Sequence, residues 1–362
     1  MKDLNDYLFN RDLRAIDDNK TILQLKNCKC PCVLWGAGEV AEKVWDILSR
    51  NDISIDSVWV DGVKDSVFHG IRIKSIDEIL TEYNSFNVII GHNRYDKIEM
   101  LRENYNQIND IFFFYNSFDW EEGFDYDYLK SYEEEFQKAF DLAEDGTSRK
   151  AFSEYVNSRI SSNPCYVTKD CIVDGYFKND CINIGDSEKF LEIGAFNGNI
   201  VKTFYNESKG NYSKIIALEP DDNNFNDLKL NVAYMHDIEL IKLGCWNHKT
   251  DLSFSINGTG KSNHIDETSN STLYIPVDTV DNILNGEKVT VINLFCQTGL
   301  QEILEGARYT IDNHKPKFII GIGLRKEQSY YIPQLLKRMN SNYKIYYRFY
   351  GGVPSKFYLI AI

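Results

Sequence analysis

The sequence predicts an α/β protein of two parallel-sheet domains joined by a helical connector, with an antiparallel hairpin closing the second sheet. Three observations predict it. Short apolar runs alternate with helical stretches from Cys32 to Phe114 and again from Lys189 to the C-terminus; that rhythm puts parallel strands in a sheet with helices on its faces. Each half begins with a glycine-bearing turn between a strand and a helix, at Gly36–Gly38 and at Gly194–Gly198. Between the halves, Tyr128, Tyr132, Phe136 and Phe140 recur every four residues, which suits one face of a helix. The boundaries that follow are 1–118 for the first domain, 119–184 for the connector and 185–362 for the second domain.

Taken in order, Leu4, Tyr7, Leu8 and Leu13 predict an opening helix, followed by a turn at Asp17–Lys20. Cys32–Trp35 predicts a buried strand, Val40–Leu48 a helix, Ser57–Val60 a second strand, Ile76–Tyr83 a helix, Asn87–Ile90 a third strand, Lys97–Tyr105 a helix and Asp110–Phe114 a fourth strand. In the connector, Asp145-Gly146 predicts a helix stop, and Thr147 or Ser148 a cap for the next helix, which runs through Ile160. The second rhythm reads as strand Phe190–Ile193, helix Asn199–Tyr205, strand Lys214–Leu218 and helix Asn224–Tyr234. Strands Ile238–Lys242, Leu252–Ile256 and Thr290–Phe295 follow, then helix Gln301–Asn313, strand Lys317–Ile322 and helix Ile332–Met339. Tyr343–Phe349 and Phe357–Ile362, separated by Gly351-Gly352, form the closing hairpin.

Composition sets the bounds. Of 362 residues, 43% are hydrophobic, enough for two cores. A net charge of −14 repels phosphate backbones and anionic membrane surfaces, so nucleic acid is not an expected partner. The polar N-terminus carries no basic start and apolar run, and no stretch reaches about 18 apolar residues, so a cytoplasmic protein without membrane insertion is expected. Eight scattered cysteines do not make a disulfide scaffold. Cys28-Lys-Cys30-Pro-Cys32 has no second ligand pair elsewhere and reads as strand-entry residues, so no metal is expected. Whether the chain forms a homo-oligomer is left open.

The chemistry is concentrated in the second half. Phe190-Leu-Glu192-Ile-Gly194-Ala195-Phe-Asn197-Gly198-Asn199 joins a strand to a helix, and its glycines let the backbone approach a ligand at the strand's carboxyl end. The next strand ends in Glu219-Pro220-Asp221, where a carboxylate can accept both hydroxyls of a ribose. The expected cofactor-binding residues are therefore Glu192, Gly194, Ala195, Asn197, Gly198, Glu219 and Pro220.

Leu191–Asn199 and Ala217–Asp221 resemble the cofactor motifs of FkbM-type methyltransferases. The resemblance continues in Pro276–Asp281, Leu304–Ala307, His314–Lys317, Tyr331–Pro333 and Tyr346–Tyr350, and it covers the chain from about Tyr176 onward. It implies a class I methyltransferase sheet, S-adenosyl-L-methionine as cofactor, and methylation of hydroxyls on sugars or polyketide-like products. The sequence departs from the family where the pattern Lys-x-Asp-x-Glu-Gly is usual: here it reads Asn293-Leu-Phe295-Cys-Gln297-Thr298. Gly323-Leu324 stands where many relatives have Tyr-His, and Asn197 and Asn199 where acids are common. Phenylalanine can neither orient an acceptor hydroxyl nor take its proton. The candidate bases are then His248, His264 and Asp266, all in polar loops.

In the first half, Gly36 and Gly38 match the first two glycines of a dinucleotide fingerprint, and Asp61 closes the second strand where a ribose-binding acid belongs. With Ile89-Ile-Gly91-His92, this region resembles the small Rossmann-like domain that precedes sugar acyltransferases and some FkbM proteins. Three readings follow. The first is a methyltransferase acting on a saccharide or nucleotide-sugar hydroxyl in surface-glycan synthesis. The second is a protein that keeps the fold for binding or scaffolding without turnover. The third is a nucleotide-sugar enzyme centred on the N-terminal half.

Overall fold

The computed structural model describes residues 3–8, 18–62, 66–92, 97–114, 124–161, 163–167, 175–255, 264–265, 273–351 and 353–362. In the first half, strands β1 (Cys32–Trp35), β2 (Ser57–Trp59), β3 (Val67–Phe68), β4 (Ile71–Lys74), β5 (Phe86–Ile90) and β6 (Ile108–Phe112) form a sheet in the order β3-β4-β2-β1-β5-β6. Pairing is parallel except for the β3–β4 hairpin. Helices α1 (Asp18–Asn27), α2 (Glu39–Arg50), α3 (Ile76–Glu82) and α4 (Ile98–Asn104) accompany it. On α2 the buried positions are Ala41, Val44 and Leu48, spaced to make one face against the sheet. β1 and β5 are buried along their whole length, as strands covered on both faces must be.

In the second half, β7 (Lys189–Ile193), β8 (Lys214–Leu218), β9 (Ile238–Ile241), β14 (Val291–Leu294), β15 (Lys317–Gly321), β16 (Ile345–Phe349) and β17 (Phe357–Ala361) form a sheet in the order β16-β17-β15-β14-β7-β8-β9. β17 runs antiparallel to both β15 and β16; the other pairs are parallel. The strand order reverses between β7 and β14, which opens a crevice at the carboxyl ends of those strands. A smaller sheet, β10 (Gly244–Cys245), β11 (Thr250–Ser255), β12 (His264–Ile265) and β13 (Tyr274–Asp278), ordered β10-β13-β11-β12, stands beside it. The helices of this half are α8 (Asn199–Glu207), α9 (Asp222–Val232), α10 (Val280–Leu284), α11 (Leu300–Glu305), α12 (Arg308–His314) and α13 (Gln328–Met339).

The middle segment supplies α5 (Tyr126–Ser131), α6 (Glu133–Asp141) and α7 (Gly146–Ile160). They pack on the second sheet: Phe136, Phe140, Phe152 and Tyr155 share one core with Ile345, Tyr347 and Phe357. Tyr155 stacks on Phe357 with centroids 4.4 Å apart. Arg348, 1% exposed, is held by Asp145 at 2.8 Å and Asp180 at 2.6 Å, because a buried guanidinium needs paired charge around it.

Several boundaries differ from expectation. Of the turn expected at Asp17–Lys20, residues 18–20 are instead the start of α1, whose Thr21 and Leu25 are buried, and Asp17 lies outside the described residues. Where the opening helix was expected, residues 4–6 form a short 3₁₀ turn, and residues 9–17, Leu13 among them, lie outside the described residues. The cap of α7 is Asp145, whose carboxylate accepts from Ser148 N at 2.6 Å; Thr147 and Ser148 lie inside the helix. The single helix expected over 301–313 is broken at Gly306, where a Cβ would stand 2.2 Å from the Trp246 carbonyl. The fourth strand begins earlier, at Ile108, and α13 begins at Gln328 with Pro333 inside it. The two-residue strands β3, β10 and β12 carry no period to read, and β4, β13 and helix α10 were not anticipated. No helix among the described residues is long and apolar enough to cross a membrane.

Candidate functional site

The turn after β7 is built by backbone conformations that few side chains adopt. Gly194 and Gly198 have φ of +79° and +85°, and Phe196 between them has +50°. Gly194 N and Ala195 N both donate to the Leu218 carbonyl, at 3.0 and 2.8 Å, which ties the turn to the end of β8. A Cβ on Gly198 would lie 2.8 Å from Leu228 Cδ1, so this glycine serves the packing of α8 on α9 and not the cavity wall. The other expected residues, Glu192, Gly194, Ala195, Asn197, Glu219 and Pro220, all line one cavity of about 540 Å³.

Glu219 is 5% exposed. Its Oε2 accepts from Phe196 N at 2.8 Å and its Oε1 from Asp221 N at 3.0 Å. Burial raises its pKa, while these amide hydrogen bonds oppose the rise. The two amides fix the carboxylate's plane and leave lone pairs for further donors. Glu192, 1% exposed, accepts from Asn293 Nδ2 at 2.9 Å through Oε1. Its Oε2 has no partner among the described residues. Burial drives the Glu192 carboxyl well above its ordinary range, against the lowering effect of Asn293. Asn197 Oδ1 and Gln297 Oε1, also in the cavity wall, are likewise unpartnered acceptors. Buried acceptors without donors call for a ligand rich in N–H and O–H groups.

The opposite wall comes from places the sequence did not mark. Phe254 and Ile275 reach in from the small sheet, and Ser355, Lys356 and Tyr358 from the closing hairpin. Phe295 and Leu324 line the same space. The Phe295 ring lies over Gly321, where a Cβ would meet it at 2.0 Å, and stacks on Tyr358 at 5.5 Å. Burial pushes the Cys296 thiol up to about 12, so it stays protonated.

Of the candidate bases, His248 does not join this wall. His248 is exposed, bonded to Asn247 Oδ1 at 2.7 Å, and outside the cavity lining. A polar loop beyond β10 carried it to solvent. The backbone of His264 belongs to β12, but its side chain and all of Asp266 lie outside the described residues.

The N-terminal turn is arranged differently. Gly36 has φ +130°, and its Cβ would stand 2.4 Å from the Gly91 carbonyl oxygen. Gly38 precedes α2 in extended conformation. Asp61 is paired with Lys97 at 2.8 Å. Trp35 stacks on Trp59 at 4.4 Å and 3°. Cys32 is buried and Cys28 and Cys30 half-buried. No group of three His, Cys, Asp or Glu placed to hold a metal occurs among the described residues.

No family model and no curated protein matches the sequence. Among solved structures, the chain superposes on the methyltransferase FkbM from Methylobacillus flagellatus KT with a TM-score of 0.72 at 16% identity, over 96% of this chain and 94% of that one. The chain has that fold. The likeness reaches through both halves and the helices between them. Partial overlaps occur with a precorrin-6y C5,15-methyltransferase from Geobacter metallireducens GS-15 (TM-score 0.33, 11% identity, 49% of this chain and 81% of that one) and an rRNA methylase from Streptococcus thermophilus (0.31, 11%, 49% and 87%).

Proposed function

We propose that this protein is an S-adenosyl-L-methionine-dependent methyltransferase whose acceptor is a hydroxyl of a saccharide or nucleotide-sugar, working in surface-glycan synthesis in the cytoplasm. One observation carries the cofactor: Glu219, 5% exposed and held by two backbone amides, stands in the wall of a 540 Å³ cavity at the glycine turn. A ribose diol supplies the donors its lone pairs need. The unpartnered oxygen of Glu192 suits the ammonium of the methionine end. When bound, the cofactor supplies an electrophilic methyl group on a sulfonium; the chain's part is to hold the donor, orient the acceptor and keep water out. The acceptor class rests on the FkbM resemblance and fold.

Calorimetry tests the reading. S-adenosylmethionine and S-adenosylhomocysteine are expected to bind in the micromolar range to the wild type and not to Gly194→Arg, which fills the turn. No heat from either compound would remove the proposal. A second reading, donor binding without turnover, is favoured by Phe295 and Leu324 in the cavity wall. Binding with no methyl transfer to any of a broad panel of sugars and nucleotide-sugars would establish it.

A further inference from the structure

We propose that Lys356 is the base that takes the proton from the acceptor hydroxyl. This rests on the methyl-transfer reading above. Lys356 ends the turn Pro354–Lys356 between β16 and β17. Its backbone is pinned on both sides: Lys356 N donates to Val353 O at 3.0 Å, and its carbonyl accepts from Tyr350 N at 3.1 Å. The side chain enters the cavity with Nζ 4.4 Å over the Phe295 ring.

The departures from the FkbM pattern meet at this point. Phe295 stands where an acid is usual, and Gly321 lets its ring lie flat against β15. Gly323 stands where many relatives have tyrosine. A Cβ there would lie 2.5 Å from the Pro354 carbonyl, so the glycine makes room for the turn that delivers Lys356. Phe295 and Gly323 thus meet at Lys356: one places a ring beneath its amine, and the other leaves room for its turn.

Among the described residues, the other titratable groups of the wall are Glu192, Glu219, Cys245, Cys296 and Tyr358. None forms an ion pair with Lys356 among the described residues. Burial holds Lys356 below the ordinary lysine value, which favours the free amine that a base must be. In the step itself the hydroxyl oxygen bonds to the methyl carbon through its lone pair. The carbon–sulfur bond breaks, and its electron pair stays on sulfur as a neutral thioether. The hydroxyl proton goes to Lys356 Nζ, which becomes an ammonium and later returns the proton to solvent.

The test uses the full chain and a readout that needs no acceptor. Reductive methylation with ¹³C-formaldehyde labels the lysines, and the resonance missing from Lys356→Arg is that of Lys356. It is expected to titrate below the ordinary lysine value and to shift when S-adenosylhomocysteine is added. A resonance that titrates at the ordinary value, or ignores S-adenosylhomocysteine that calorimetry shows to be bound, would overturn the assignment while leaving the methyl-transfer reading intact. No S-adenosylhomocysteine binding by the wild type would remove both.

Turnover separates the base from an anchor. On the acceptor that reacts best among sugars and nucleotide-sugars, Lys356→Gln and Lys356→Arg are both expected to lose about 100-fold or more in kcat. Their melting curves and S-adenosylhomocysteine affinity should stay near wild type. The wild-type rate should climb with pH through the depressed lysine pKa. If Lys356→Arg keeps its rate, the side chain holds an anionic acceptor and the base assignment falls. Bound donor with no turnover on any acceptor also overturns it.

Discussion

The two glycine turns share one grammar and end in different states. Each follows a buried strand, opens a helix, and is answered by an acid at the end of the next strand. At Gly36 the space gained by a missing side chain is filled by the neighbouring backbone, 2.4 Å from where a Cβ would be, and Asp61 is taken by Lys97. At Gly194 the nearest atom to a Cβ is 3.5 Å away, and Glu219 is buried, fixed by amides and turned to a cavity. A glycine after a strand therefore says that something comes close. Whether it is ligand or protein depends on what the next strands bring.

The largest break in this comparison should come from Glu219→Ala. Loss of a buried carboxylate that takes two hydroxyl donors is expected to weaken S-adenosylhomocysteine binding about 100-fold, measured by calorimetry. Asp61→Ala should leave the same affinity unchanged; an equal loss there would mean that the halves had been read the wrong way round. Next in size is Gly36→Ala. Positive φ and a clash with a backbone carbonyl should cost about 2 kcal/mol, seen as a lower melting temperature with donor binding intact. Gly38→Ala meets nothing within 4 Å and should cost less than about 1 kcal/mol.

Glu192 sharpens the comparison through pH. Its folded pKa is raised by burial, so the folded state holds a proton that the unfolded state has released. Stability from this group is complete below the ordinary carboxyl range and falls as pH rises through the raised value. Glu192→Gln should flatten that slope, read from denaturation midpoints across pH. If the carboxylate receives the donor's ammonium, binding S-adenosylhomocysteine to the wild type should expel a proton. That appears as a heat that depends on the buffer's own ionisation enthalpy. The smallest effect belongs to Lys97→Ala: the exposed pair with Asp61 is worth about 1 kcal/mol or less.

What could be read in advance was what local pattern encodes. The strands β1, β5, β7, β8, β14 and β15 are short apolar runs buried on both faces, and they stood out as such. One wall of the cavity was legible for the same reason: Glu192 lies on β7, Gly194 and Asn197 in the turn that follows it, and Glu219 at the end of the neighbouring strand. The short strands were not legible, because β10, with two residues, has no period to detect. The histidines were chosen for their chemistry, but chemistry without an address does not say which side of a loop faces the cavity; His248 faces water.

By itself, then, the sequence determined the alternation of strands and helices, the two glycine turns and the acids that answer them, because backbone conformation and strand periodicity are properties of neighbouring residues. Only the tertiary structure decided that Lys97 would claim Asp61, that Gly91 would close on Gly36, and that Lys356 would come to rest over Phe295. Those are contacts between residues far apart in the chain, made by the order in which strands enter a sheet, and no local pattern encodes that order.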